Sequence, residues 1–394
     1  MPRLSSRALG FQESAIRKLD SYVVSRTDIL FHRINIGQPD VATPPPILEA
    51  IHQWNPQVLA YGPSSGLQEV RDAVAAYHSR WSPGLSGAHV AITAGGSEAF
   101  LFAAVAACDP GDDILVLEPY YTNYSSLSAL AGVNIRAVQT HLSKNFAIPS
   151  DEELDAALAP TTRAIAFANP GNPTGAVFPP AELERLLHWA VRHDLYVISD
   201  EVYRRIWFDS PPTSALEYDF ATHHVICVDS MSKTWSACGL RVGFLISRNQ
   251  GLMERVDRFG QARLGPQPMS QVATIAALQL PERWYEDTRL LYKQRMDVFL
   301  KAIRKIPGVS AFSPKGAFYT MLELPVEDTE EFALFLARDF AHQGESVIVA
   351  PAGGFYTVPE RGRTKVRVAA VLEEARMVRA AELIGIALEQ WRSR

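Results

Sequence analysis

Val225-Ile226-Cys227-Val228-Asp229-Ser230-Met231-Ser232-Lys233-Thr234 passes from an unbroken apolar run into a polar turn that carries a lysine. Four apolar residues without alternation predict a strand covered on both faces, as in a mainly parallel sheet. The same signature recurs at His89–Thr93, Ile114–Leu117, Ala164–Phe167, Tyr196–Ser199 and Val242–Ile246. Helical spacing separates these runs, at Glu98–Ala107 and again at Pro180–His193. In the second, Leu183, Leu186, Leu187 and Val191 share a face, and Pro179-Pro180 opens the helix where a missing N–H does little harm. From Gly62 to Ser247, strand and helix therefore alternate, which predicts a βαβ-type domain.

Beyond Leu280-Pro281 the order changes. Residues 282–306 form one long amphipathic stretch, with Leu290, Leu291, Met296, Phe299 and Ile303 on one side, expected to link two domains. A strand at Ala317–Leu324, a helix at Thr329–His342, strands at Ser346–Ala350 and Lys365–Val371 and a last helix at Glu373–Arg392 read as a smaller α+β domain. The expected division is an N-terminal segment 1–45 packing on the small domain or a partner, a large domain 46–285 and a small domain 286–394. The chain length of 394 residues is in keeping with it.

Composition narrows the function. Hydrophobic residues make up 47% and charged ones 21%, as in soluble globular proteins. A net charge of −5 gives no reason to expect a nucleic-acid partner. No apolar run approaches a membrane span, and no apolar region follows the basic start, so neither membrane nor secretion is expected. Three scattered cysteines, Cys108, Cys227 and Cys238, make no disulfide framework and fit a reducing cytoplasm. His223-His224 has no ligand-spaced partner, so no metal is expected. No Gly-x-Gly-x-x-Gly follows a strand, so a nicotinamide dehydrogenase has no support.

Lys233 follows a buried strand and so sits at the rim of an open sheet, where ligands of such folds collect. Two hydroxyls, Ser230 and Ser232, and an arginine, Arg241, are the kinds of group needed to hold a phosphate ester. A lysine desolvated enough to lose its proton captures a carbonyl compound as a Schiff base. Asn169-Pro170-Gly171-Asn172-Pro173-Thr174-Gly175 is a pinned loop suited to presenting one amide. Asp200, in Ile198-Ser199-Asp200-Glu201-Val202-Tyr203, ends a buried run, where a carboxylate is costly unless it meets a cation such as a protonated pyridine nitrogen. Arg367, in the apolar Val366-Arg367-Val368-Ala369, needs an anion for the same reason.

These blocks, in this order, resemble pyridoxal-phosphate enzymes of fold type I, and among them the class I, aspartate-aminotransferase-like family. Matching features extend from Asn35-Ile36-Gly37-Gln38-Pro39-Asp40 to Lys365-Val366-Arg367-Val368. Ser236–Arg241, Gln261-Ala262-Arg263-Leu264 and Gly353-Gly354-Phe355-Tyr356 are similar to a bacterial branch of aspartate or general aminotransferases. The resemblance implies an α/β fold, with a large domain on a mainly parallel seven-stranded sheet plus a smaller α+β domain. It implies pyridoxal 5'-phosphate held by Lys233 as an internal aldimine, with the lysine then shuttling the Cα proton. Asp200 would pair with the pyridine N–H, Asn172 and Tyr203 with the phenolic oxygen, and Tyr121 would stack on the ring, where tryptophan is common among relatives. Gly95, Gly96 and Ser97 would hold the phosphate with Ser230, Ser232 and Arg241. Tyr61 would reach the neighbouring subunit's phosphate, making a homodimer with shared sites.

The substrate carboxylate is expected on Arg367, aided by the Gly37 backbone and Asn172, while Arg361 and Arg363 are expected in solvent. An acidic donor needs a second cation, for which Arg263 is nominated against the plainer reading of a surface or interface arginine. The expected reaction is ping-pong transfer of an amino group between an L-amino acid, aspartate or a broader donor, and a 2-oxo acid such as 2-oxoglutarate. A lyase, cyclase or oxidase acting on a biosynthetic amino acid would keep the same cofactor residues and stands as the alternative. A transcription regulator built on such a module would carry a DNA-binding domain before it, for which the stretch ahead of Asn35 is too short.

Overall fold

The computed structural model describes residues 2–5, 8–9 and 15–394. The parts of the expected 1–45 segment at 1, 6–7 and 10–14 lie outside the described residues. Thirteen strands are described, beginning with β1 (Leu30–Arg33). Seven of them build the central sheet: β2 (Val90–Thr93), β3 (Asp113–Glu118), β4 (Asn134–Gln139), β5 (Thr162–Ala168), β6 (Tyr196–Asp200), β7 (Val225–Ser230) and β8 (Gly243–Ile246). Their order is β2-β8-β7-β6-β5-β3-β4, and only β8 runs against its neighbours.

Successive side chains on these strands feed opposite faces. Ile165, Phe167, Val197 and Cys227 join one core, and Ala164, Ala166, Ile198 and Ile226 join the other. Covering on both sides explains the continuous apolar runs in the sequence. The alanine-rich face lets the helix Gly96–Ala107 pack closely through Ala99, Phe100, Ala103 and Ala104. Each fully buried Leu, Ile or Phe here contributes roughly 1.5–3 kcal/mol of transfer free energy. β4 was not anticipated. It is the sheet edge, its burial alternates, and only Val138 is fully covered, so its sequence lacks the apolar signature.

The remaining strands are β9 (Ser310–Ala311), β10 (Tyr319–Glu323), β11 (Glu345–Ile348), β12 (Ala350–Pro351) and β13 (Lys365–Ala369). An antiparallel sheet runs β12-β13-β10-β9, and β1 pairs parallel with β11. The single strand expected at Ser346–Ala350 is therefore two. Ile348 still pairs with Arg33, while Ala350 pairs with Arg367 in the other sheet. The helix expected to reach His342 ends at Arg338. The amides of Asp339 and Phe340 both return to the Phe335 carbonyl, and Phe340 turns inward into the core. The helix Glu282–Ile303 begins inside the residues expected for the large domain and joins both cores. It gives Tyr285 to the sheet side and Tyr292, Met296 and Phe299 to the C-terminal side. Among the described residues, no helix is long and apolar enough to cross a membrane.

Candidate active site

The parallel strands end along one edge of the central sheet, where the topology of open α/β folds places ligands. β6 ends there in Asp200, β7 in Ser230, and the loops after β2, β3 and β5 bring Gly96, Tyr121 and Asn172. Because β8 is reversed, Arg241 arrives at the same edge just before it. Together with Gly37 and with Tyr319 and Arg367 from β10 and β13, these residues line a cavity of about 390 Å³. In a wider groove elsewhere, Lys144 pairs with Glu153 and Arg185 with Asp151.

Asp200 is buried at one end of the cavity. The Tyr124 hydroxyl donates to its Oδ2 at 2.7 Å and the Val202 amide to its Oδ1 at 3.3 Å. Burial pushes the carboxyl from its ordinary 3.8 up to about 6, against the Tyr124 hydrogen bond that favours the anion. Such a group ionises fully once a cation lies beside it. Tyr124 stacks on Phe100 at 4.3 Å, which fixes the hydroxyl's aim. Tyr121, edge-on to Tyr124, has its own hydroxyl pushed up to about 12 by burial.

The loop after β2 is shaped for an anion. Gly95 has φ +86, and a Cβ there would overlap the Arg241 guanidinium. Glu98 accepts from the Ala94 amide at 2.7 Å, while the Ala94 carbonyl accepts from Arg241 at 3.1 Å. Ser230 Oγ accepts from the Ser232 amide at 3.3 Å, leaving its proton for another acceptor. Among the described residues, the hydrogen bonds of Arg241 go to the carbonyl oxygens of Cys238 and Ala94. Gly96, Ser97, Ser230, Ser232 and Arg241 all line the cavity, while Gly95 supports it from behind.

Lys233 Nζ donates to the Gly37 carbonyl at 2.7 Å. Arg367 is 5% exposed and donates to Asn172 Oδ1 at 3.1 Å and to the Asn35 carbonyl at 2.7 Å. Its guanidinium lies 4.5 Å from the Tyr319 ring centre and 5.1 Å from that of Phe355. Among the described residues it has no carboxylate partner. By accepting from Arg367, Asn172 turns its NH2 group toward other acceptors. Asp200, Lys233, Arg241 and Arg367 thus surround a space that fits a flat, anionic, cation-bearing ring and a carboxylate beside it.

Two expected site residues lie elsewhere. Tyr61 is 83% exposed and outside the cavity of its own chain. The nomination of Arg263 as a substrate-binding cation needs correcting. Its guanidinium is held by the Glu98 carboxylate and by the carbonyls of Ser64, at 2.8 Å, and Leu264, at 2.7 Å, and it does not line the cavity. Arg361 is not simply solvated either, since it donates at 2.7 Å to the fully buried Glu118. Tyr124 and Tyr319 were not anticipated. Tyr124 was visible as one of three aromatics in Tyr120–Tyr124 after a strand end, whereas Tyr319 reads as an ordinary core aromatic.

The profile of the class I and II aminotransferases matches residues 32–384. The chain is 30% identical over 331 residues to an aspartate/prephenate aminotransferase of Thermus thermophilus, covering 82% of this chain and 85% of that one. It is 29% identical over 324 residues to an arginine–pyruvate transaminase of Pseudomonas aeruginosa, covering 82% of each. The Thermus thermophilus aspartate aminotransferase solved with maleate superposes with a TM-score of 0.88 at 28% identity, over 98% of this chain and all of that one. With a profile spanning most of the chain and this fold shared along its length, the protein belongs to the class I and II aminotransferases, a family of pyridoxal-phosphate-dependent enzymes.

Proposed function

We propose that this aminotransferase moves an amino group between an L-amino acid, aspartate or a related donor, and a 2-oxo acid such as 2-oxoglutarate, with pyridoxal 5'-phosphate in the cavity at the strand ends. The observation that carries this reading is Arg367, a buried guanidinium that faces a cavity and whose hydrogen-bond partners among the described residues are neutral oxygens. A buried charge in that state favours an anion, and a planar fork suits a carboxylate. Relatives named for aspartate and for arginine with pyruvate support amino-acid and 2-oxo-acid substrates.

When bound, the cofactor supplies an electron sink for the bonds at the substrate's Cα. The chain's residues do the rest. Asp200 would hold a proton on the ring nitrogen, and that cation would favour its ionisation. Tyr203 and Asn172 would donate toward the phenolic oxygen, and Tyr121 would hold the ring, all three lining the cavity. The amides of Gly96 and Ser97, the hydroxyls of Ser230 and Ser232, and Arg241 would hold the phosphate. Lys233, whose Nζ donates to the Gly37 carbonyl, would be the amine that holds the cofactor and the base that takes and returns the Cα proton. Arg367 and Asn172 bind the carboxylate so that the Cα–H bond, rather than the carboxylate bond, stands open to that base.

The same reading makes the working unit a cytoplasmic homodimer. Tyr61, with exposed Val58 and Leu59 beside it, would then meet the second copy's phosphate site. The test is a half-reaction. With an amino acid alone, the cofactor's absorbance should convert stoichiometrically and return on adding 2-oxoglutarate. Product release without that conversion would point instead to a lyase, cyclase or oxidase.

A further inference from the structure

Tyr319 touches both ends of the cavity. Its ring lies 4.5 Å from the Arg367 guanidinium carbon. Its hydroxyl lies 2.9 Å from the Tyr203 hydroxyl and 3.4 Å from the Gly37 carbonyl, which already accepts from Lys233 at 2.7 Å. The tyrosine is fixed in this position. It sits on β10 against β13, the strand that carries Arg367, and is 1% exposed. A Cβ at Gly37 would overlap its hydroxyl, so Gly37 is small because Tyr319 occupies that space.

Two hydroxyls at 2.9 Å share one proton between them, and geometry decides which donates. The Gly37 carbonyl is the more distant acceptor, at 3.4 Å against 2.9 Å, so Tyr203 is the better acceptor for the Tyr319 proton. A Tyr203 oxygen that accepts from Tyr319 keeps its own proton for the cavity and becomes a stronger donor through polarisation. The ring, meanwhile, lies against the Arg367 guanidinium, as does that of Phe355, and stabilises a charge that has little solvent.

We propose that Tyr319 is a positioning residue whose hydroxyl aims the Tyr203 proton into the cavity while its ring seats Arg367 for the substrate carboxylate. This rests on the reading of the cavity as the pyridoxal-phosphate site. It assigns the two functions to separable parts of one side chain, so two substitutions divide them. Tyr319→Phe removes the hydroxyl and keeps the ring, and Tyr319→Leu removes both.

The experiment uses the pyridoxal-phosphate-loaded enzyme and follows the visible absorption of the bound cofactor against pH in wild type, Tyr319→Phe, Tyr319→Leu and Tyr203→Phe. In parallel, the affinity for a simple monocarboxylate, which occupies the Arg367 end, is measured by spectral titration. A donor to the cofactor's oxygen favours its anionic form, so losing the Tyr319 hydroxyl should raise the midpoint by about 0.5–1 pH unit. Tyr203→Phe should raise it further. Tyr319→Phe should hold monocarboxylate affinity within about twofold, whereas Tyr319→Leu should weaken it roughly 3–20-fold. If Tyr203→Phe moves the midpoint and Tyr319→Phe leaves it at the wild-type value, the proposal is overturned while the site reading stands. Equal losses of monocarboxylate affinity in both Tyr319 variants also overturn it. A wild type that takes up no chromophore overturns the site reading and the proposal together.

Discussion

Arg367 and Arg263 were both expected to bind a substrate carboxylate, and their surroundings differ in kind. Arg367 is buried on β13 with two neutral oxygen acceptors and two aromatic rings beside it. Arg263 closes the helix Gln250–Arg263 with Glu98 as its counter-ion and two carbonyls filling the rest of its fork. Among the described residues, the first charge has no carboxylate partner, and the second is paired with Glu98. Through Glu98, which also accepts from the Ala94 amide, Arg263 braces the loop that presents Gly96 and Ser97. Whether an arginine lines a cavity with a free charge therefore matters more than its neighbours in sequence.

The contrast breaks first at the lysine between the two regions. Lys233→Ala should lower kcat/KM on the order of 10⁴-fold or more, measured in steady state with saturating cofactor. Asp200→Asn should lower kcat by roughly 10²–10³-fold, because the proton on the ring nitrogen loses its counter-charge. The same substitution has a stability signature in cofactor-free protein. The folded carboxyl, pushed from 3.8 to about 6, holds a proton that the unfolded chain releases. Its contribution is fully present below about pH 4 and lost as the pH rises through about 6. Asp200→Asn should therefore keep roughly 2–3 kcal/mol that wild type loses across that window, read by denaturant titration at each pH.

Arg367→Lys should raise the KM for every amino donor by roughly 30-fold or more, since a point charge cannot replace the fork that Asn172 and Asn35 orient. Arg263→Ala has the smallest effect. It should weaken cofactor binding by up to ~5-fold and affect all donors alike. A selective loss of aspartate and glutamate would return Arg263 to the substrate site and erase the contrast.

The sheet was legible in the sequence wherever strands are covered twice, because apolar side chains on both faces leave no polar interruption. β4 escaped because one side of an edge strand faces water. The split of Ser346–Ala350 escaped because Val349 is as apolar as its neighbours, and only pairing partners divide the run. At the site, residues whose chemistry is costly to bury announced themselves: Lys233, Asp200 and Arg367 each stand in or beside an apolar run. Tyr124 and Tyr319 did not, because a tyrosine body is ordinary core and only the hydroxyl's partner reveals its use. Arg263 misled for the converse reason, since its counter-ion Glu98 lies far away in sequence.

The central claim is that Lys233 is the amine that joins the cofactor in a cavity bounded by Asp200 and Arg367. Borohydride reduction of the enzyme loaded with pyridoxal 5'-phosphate, followed by peptide mass analysis, tests it directly. The account predicts one stable phosphopyridoxyl increment, on the peptide containing Lys233 and on no other. An unmodified Lys233 peptide, or an increment on a different lysine, would contradict it.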